Sequence, residues 1–324
     1  MNLFEKMSAS SHVRVNETMP GVFACNFTRK AFHKGLWDEQ TVKARGLFLS
    51  EDGRVLARGF DKFFGIGDHN GPTLNQFLRD VTFPVTVQQK DNGYLAIVAS
   101  INNNLQVFSK SGVTDYSKHA EKILFKRSTP EALDALETVL STNNMSLAVE
   151  IIDPYSDPHI ELYDDPHGVI LAGIKNQEEF EIVDQKVMDL IEFIFIHGFK
   201  GGVYISDHTY RMNSQAYSKD RIVELIDEVE YQQDSEGLVF RDATGKMWKY
   251  KTRWYKKVKS VRNSLNRTLK GESDEVSGKI LNALSDMGRS LGDYRVTDIS
   301  GRSVLDLPRM ASDLEPEFFF DEID

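Results

Sequence analysis

The chain has 324 residues, 27% of them charged and 40% hydrophobic, with a formal net charge of -10, a composition that fits a soluble globular protein with one large and one smaller domain. A single cysteine, Cys25, excludes an internal disulfide framework and a cysteine-rich zinc site, and the negative sum argues against a protein that coats nucleic acid nonspecifically. No stretch carries the unbroken apolar run of a signal peptide or a membrane span, so a cytoplasmic monomer is expected.

In chain order, β-branched and aromatic content bounded by turn residues predicts strands at 42–49, 54–60, 94–100, 105–110, 145–152, 159–163, 169–174, 236–241 and 247–251. Helices are expected at 73–81, 117–126, 130–141, 184–197 and 218–229. Thr129 followed by Pro130 supplies a capping hydroxyl and then a proline at the first helical position. Antiparallel strands with intervening helices predict an α+β fold rather than a doubly wound parallel sheet. Near Lys256 the strand signals fade, and Val276, Ile280, Leu284, Met287 and Leu291 mark an amphipathic helix. The expected division is a domain at 1–255 and a small, mainly helical domain at 256–324 that ends in an acidic tail, with no second β-barrel.

The global charge hides a local patch. From Ala243 to Gly271 there is no acid, and ten lysines and arginines are interleaved with Trp248, Tyr250, Trp254 and Tyr255. A solvated face with snorkelling side chains would look like this. So would a polyanion site in which cations meet phosphates and rings stack on bases.

The tetrapeptide Lys90-Asp91-Asn92-Gly93 lies between two apolar runs. An ordinary β-hairpin could carry it, because Asn and Gly tolerate the positive φ of tight turns. It also offers a lysine where a nucleophile could stand, although a lysine with a reference pKa of about 10.4 needs a site that favours its neutral amine. Further charged residues recur at or in apolar strands: Arg45-Gly46, Lys62-Phe63-Phe64, Ser109-Lys110, Glu150, Glu236-Gly237 and Lys249-Tyr250-Lys251. Singly, Glu150 reads as a core carboxylate paired with an arginine, and Lys249 and Lys251 as neighbours on one strand face. Together they describe a lysine nucleophile, two acids suited to a divalent metal and a pair of cations suited to a triphosphate.

In this order the residues resemble the covalent nucleotidyltransferases, the superfamily of ATP-dependent ligases and mRNA capping enzymes. Lys90-x-Asn92-Gly93 resembles its motif I, Glu150 motif III, Glu236-Gly237 motif IV and Lys249-x-Lys251 motif V. The flanks resemble the phage tRNA-repair RNA ligase and the ligase module of fungal tRNA ligase. The resemblance covers residues 42–255 and implies a nucleotidyltransferase domain, related to ATP-grasp ligases, of antiparallel sheets with flanking helices. Leu171 stands where the family's motif IIIa would offer an aromatic residue to adenine.

The resemblance implies that Lys90 attacks the α-phosphate of ATP, that AMP passes to an RNA 5′-phosphate, and that a 3′-hydroxyl then seals the strand. Moving a lysine pKa to near 7 takes about 4 to 5 kcal/mol, which Lys249 and Lys251 are expected to help supply. Arg45, Lys62, Lys110, Gly93 and Gly237 are expected around ATP or AMP, with Phe64 packing nearby. Glu150 and Glu236 are hard oxygen donors for Mg²⁺ or Mn²⁺. Arg253, Lys256 and Lys257 are the candidates for RNA contact, the substrate being RNA ends, broken tRNA among them. A DNA ligase or capping-type enzyme, and a noncatalytic RNA-binding protein on the same fold, are the alternative readings.

Overall fold

The structure is a computed structural model and describes residues 1–161, 163–205, 210–212 and 219–314. The acidic residues beyond Leu314, and Ser218 at the start of one expected helix, lie outside the described residues.

Three sheets surround the region of interest. Val13–Met19, Val22–Phe27, Arg45–Leu49 and Val55–Arg58 form an antiparallel sheet in chain order. A central sheet runs Val203–Ile205, His167–Lys175, Met145–Ile152, Tyr94–Ile101 and Asn104–Ser109. The third runs Tyr210–Met212, Val85–Gln89, Gly237–Arg241, Met247–Lys251 and Phe64–Gly65. Pairing is antiparallel except at two edges, where Val203–Ile205 and Phe64–Gly65 add in parallel. The fold is thus α+β, with mixed rather than purely antiparallel sheets.

Side-chain alternation explains the layers. In Met145–Ile152, Met145, Leu147, Val149 and Ile151 face the helices Asp115–Phe125, Pro130–Thr142 and Gln185–Gly198. Ala148 points the other way, and with Ala99 and Ala172 it lets the N-terminal sheet approach closely over Phe48, Phe60, Leu95, Ile97 and Phe108. Glu150 shares the face of Ala148 and is the least buried residue of its strand, which aims a carboxylate at the end of the layer. Arg58, fully buried, pins this layer by donating to the carbonyls of Gln177 (2.6 Å) and Glu178 (2.9 Å) and pairing with Asp61.

Several elements depart from the sequence reading. Residues 42–43 end a short helix, Glu39–Lys43, because Asp38 caps it with a bond to Thr41 N–H, and the strand begins at Arg45. The segment 159–163 is no strand over its described residues: the amides of Ile160 and Glu161 donate to the Asn92 side chain at 2.8 and 3.4 Å instead of to a neighbouring strand. The helix Arg253–Thr268 starts three residues before Lys256, since Thr252 caps it through Tyr255 N–H. Trp254 and Tyr255 open a separate core with Val258, Val261, Leu265, Ile280, Leu284, Tyr294 and Met310, and Ile160 joins it. This part also contains a β-hairpin, Arg295–Thr297 with Ser303–Leu305, beside its helices. Trp248 is buried against Phe77, with ring centroids 5.1 Å apart, so Trp248, Trp254 and Tyr255 are core residues rather than stacking platforms.

Phe48 and Phe108 stack at 4.2 Å between the N-terminal and central sheets. Phe48→Ala should therefore cost about 3–5 kcal/mol in urea-induced unfolding. A loss below about 1 kcal/mol would mean that this layer contributes little to stability.

Candidate active site

Lys90 follows the strand Val85–Gln89, and its backbone N–H donates to the Gly237 carbonyl at 2.8 Å, which fixes the start of the loop against the neighbouring strand. Asn92 is only 4% exposed and braces the loop. Its amide donates to Glu236 Oε2 at 2.8 Å, its carbonyl oxygen accepts from Ile160 and Glu161, and its backbone N–H donates to the Tyr163 hydroxyl at 3.0 Å. Gly93 is required by close approach rather than by a positive φ. A Cβ there would lie 2.1 Å from the Ile151 carbonyl, and its N–H donates to Glu150 Oε1 at 3.1 Å. Gly237 combines φ +138° with a Cβ position 2.0 Å from the Tyr250 carbonyl.

Glu236, 3% exposed, holds two ammonium groups: Lys90 Nζ at 2.9 Å and Lys251 Nζ at 2.6 Å. Burial alone would raise the Glu236 pKa, but the two lysines outweigh it and hold the carboxyl down at about 2. Glu150 is pushed up by burial and by the charge of Glu236, and burial pushes Glu161 up to about 8. One Glu161 oxygen accepts from the Tyr163 hydroxyl, and the other is buried without a side-chain hydrogen-bond partner among the described residues. Three carboxylates therefore gather around Lys90. Burial works to lower the Lys90 pKa, yet Glu236, Glu150 and Glu161 together hold it above the ordinary lysine value. The expected depression of Lys90 is not met in the free protein, because a carboxylate in direct contact outweighs cations farther away.

The depressed lysine is Lys249. Burial comes first, then the charges of Lys62, Lys251, Lys90 and Arg45, and together they bring it down to about 7. Lys62 falls to about 8 through burial and Arg45, and Lys110 is lowered by the same two causes. Arg45 Nη1 is buried without a hydrogen-bond partner among the described residues. The site thus has an acid-rich end around Lys90 and a cation-rich end at Arg45, Lys62, Lys110 and Lys249.

A cavity of about 1240 Å³ joins the two ends, and Lys90, Gly93, Glu150, Glu236, Lys249, Lys251, Arg45, Lys62 and Lys110 all line it. Among the described residues its wall contains Phe63 rather than Phe64. Phe64 instead packs on Trp37 and lies under the Lys62 ammonium, 4.1 Å from the ring centroid. Gly237, and Arg253, Lys256 and Lys257 of the helix Arg253–Thr268, are not among the described residues that line the cavity. Arg253 meets the Tyr231 ring and Lys256 the Tyr250 ring. The cavity also takes in Arg14, Arg29, Tyr116 and Arg302, which sequence patterns did not single out, together with Lys259 of the basic stretch and His159 of the segment read as a strand. In a separate three-acid group, Glu39 and Glu179 each lie 3.1 Å from Lys43, and Glu178 pairs with Lys6 at 3.2 Å.

A family model for RNA ligase matches residues 43–263, a span that contains Arg45, Lys62, Lys90, Lys110, Glu150, Glu236, Lys249 and Lys251. The chain belongs to this RNA ligase family. Within it, RNA ligase 1 of bacteriophage TS2126 is 31% identical over 137 residues, which is 41% of this chain and 34% of that protein. The match spans about a third of the length of that relative. Among solved structures, an Aquifex aeolicus protein assigned as an ATP-dependent DNA ligase superposes with a TM-score of 0.54 at 18% identity, over 82% of this chain and 66% of the other. An archaeal ATP-dependent RNA ligase gives 0.50 at 14% identity, over 81% and 63%. These likenesses establish the nucleotidyltransferase ligase fold.

The cation-rich end of this cavity carries a stability cost. The folded pKa of Lys249 is about 7 against an ordinary 10.5, so the folded state releases that proton first and stability rises with pH between these values. Lys249→Met should raise stability at pH 7 by more than about 1 kcal/mol. In denaturant titrations the gain should be largest at or below pH 7 and shrink toward pH 10. A gain that is constant with pH would contradict the depressed pKa.

Proposed function

We propose that the protein is an ATP-dependent RNA ligase that joins a 5′-phosphate to a 3′-hydroxyl through a lysyl-AMP on Lys90. The observation that carries this reading is the juxtaposition of Lys90, in contact with Glu236, with a separate cluster of desolvated cations in one cavity. A triphosphate carries several negative charges, and Arg45, Lys62, Lys110 and Lys249 form a preorganised receptor for them. In the first step the Lys90 nitrogen attacks the α-phosphorus of ATP. A P–N bond forms, the bond to the bridging oxygen breaks, the amine loses a proton and pyrophosphate leaves. Lys249 and Lys251 would meet the charge that grows on the α-phosphate. In the last step the 3′-hydroxyl displaces AMP from the activated end and seals the strand.

The donor set fits a divalent ion, since three carboxylates crowd one lysine and a buried Glu161 oxygen lacks a side-chain partner among the described residues. Glu150 and Glu236 would hold Mg²⁺ or Mn²⁺, which when bound would neutralise triphosphate charge and compete with Lys90 for Glu236. We assign the natural role to repair of broken RNA in the cytoplasm, cleaved tRNA included, on the resemblance of the residues flanking the motifs.

Incubation with α-labelled ATP and Mg²⁺ should give an acid-stable label on the protein, and Lys90→Ala should abolish it. Absence of label on wild type, or full label on the variant, would remove Lys90 as the nucleophile. Matched RNA and DNA ends offered to the labelled protein test the substrate, and preferential sealing of DNA would overturn the RNA assignment.

A further inference from the structure

We propose that Lys259 and Arg302, both from the C-terminal part of the chain, form the subsite that receives the RNA 5′-phosphate in the second step of the reaction. The inference rests on the ligase reading and adds a position for the second substrate.

Arg302 follows the turn of the hairpin Arg295–Thr297 with Ser303–Leu305, and its side chain lines the cavity. The turn is built around Asp298, 5% exposed, whose carboxylate accepts from the backbone N–H of Ser300 and of Arg302, both at 2.9 Å. The same carboxylate takes Arg302 Nε at 3.1 Å and Nη2 at 3.0 Å. One edge of the guanidinium is thereby held, while the side chain stays 70% exposed. An arginine oriented in this way presents a ready fork to a phosphate, with little rotamer freedom left to lose.

The hairpin is registered to the reacting lysine. The Tyr116 hydroxyl lies 3.0 Å from Asp157 Oδ1 and 3.5 Å from Asp298 Oδ2, joining the turn to the cavity rim. Three residues past Asp157, Ile160 donates its N–H to Asn92, two residues from Lys90. Lys259 stands one helical turn beyond Tyr255, whose ring centroid is 4.2 Å from Lys251 Nζ, and the charge of Lys259 contributes to lowering Lys251. The cations therefore continue outward from the position assigned to the α-phosphate. With Arg45, Lys62, Lys110 and Lys249 assigned to the nucleotide's phosphates, Lys259 and Arg302 are the lining cations that the C-terminal part contributes for a second anion, while Arg14 and Arg29 line the cavity from the N-terminal part.

In the step itself an oxygen of the RNA 5′-phosphate attacks the phosphorus of the Lys90-bound AMP. A P–O bond forms, the P–N bond breaks, and the departing lysine nitrogen takes up a proton from solvent. The product is an RNA capped by AMP through a 5′–5′ pyrophosphate. Lys259 and Arg302 would hold the incoming dianion against its repulsion by the AMP phosphate.

The test separates the steps. Wild type, Arg302→Ala, Lys259→Ala and the double variant are labelled with α-labelled ATP and then chased with a 5′-phosphorylated oligoribonucleotide. Label formation should stay within about twofold of wild type, while transfer at subsaturating RNA should slow at least about tenfold, the effect of losing one charge-assisted hydrogen bond. The loss should appear mainly in KM for RNA, and Arg302→Lys should retain part of the activity. Transfer at the wild-type rate in the double variant, with an unchanged melting temperature, would overturn the proposal, and so would an equal loss of label formation. Fluorescence anisotropy with 5′-phosphorylated and 5′-hydroxyl oligoribonucleotides reads the subsite without chemistry. Wild type should prefer the phosphate and the double variant should not. A wild type with no preference overturns the subsite even if it labels, whereas a wild type that prefers the phosphate but takes no label overturns the ligase reading alone.

Discussion

The buried carboxylate of Glu236 is the interaction on which the site depends. It receives Lys90, Lys251 and Asn92 at 2.6–2.9 Å in a place where water cannot solvate a charge. Such a group is tolerated only when its oxygens are fully engaged, and here the three donors come from two segments, one far from Glu236 in the chain and one across a strand pair. Glu236 precedes the strand Gly237–Arg241, Lys251 ends the strand Met247–Lys251, and Lys90 and Asn92 follow Val85–Gln89. One carboxylate thus gathers three strand ends at the mouth of a single cavity.

The rest of the site is an imbalance arranged around that knot. Three carboxylates surround Lys90, and around Lys249 the cations are offset only in part by Glu150 and Asp68. Each end costs stability in the free protein, which is visible in the raised Glu150 and Glu161 and in the lowered Lys62, Lys110 and Lys249. Each end is also complementary in charge to a ligand of the proposed reaction, a divalent cation at one and a polyphosphate at the other. Low stability and high affinity here have the same origin, since desolvated like charges repel until an opposite charge arrives.

The C-terminal part is continuous with this arrangement. Ile160 belongs to its core by side chain and to the Asn92 brace by backbone, so packing there bears on the loop that carries Lys90. Tyr255 does the same from the other side, buried in the C-terminal core while its ring meets the Lys251 ammonium. Movement of this part relative to the sheets would be felt at both lysines.

Motif order, the α+β class, about half of the strands and the longer helices before residue 231 were legible in the sequence, because side-chain periodicity and cap chemistry are local properties of the chain, whereas the strands Val13–Met19, Val22–Phe27 and Val85–Gln89 were not read from it. The stretch Met145–Ile152 and the start at Thr129-Pro130 are examples. The sequence also contained every residue that meets at Glu236. Only the tertiary structure decided how they act on one another. It made Asn92 a brace instead of a turn former and required Gly93 by contact with Ile151 instead of by φ. It turned Phe63 rather than Phe64 to the cavity, and it held Lys90 up while pushing Lys249 down. The reason is physical: contact distance, desolvation and the sign of a pKa shift depend on neighbours brought from far along the chain, and Arg302 reaches the rim beside Tyr116 from 186 positions away.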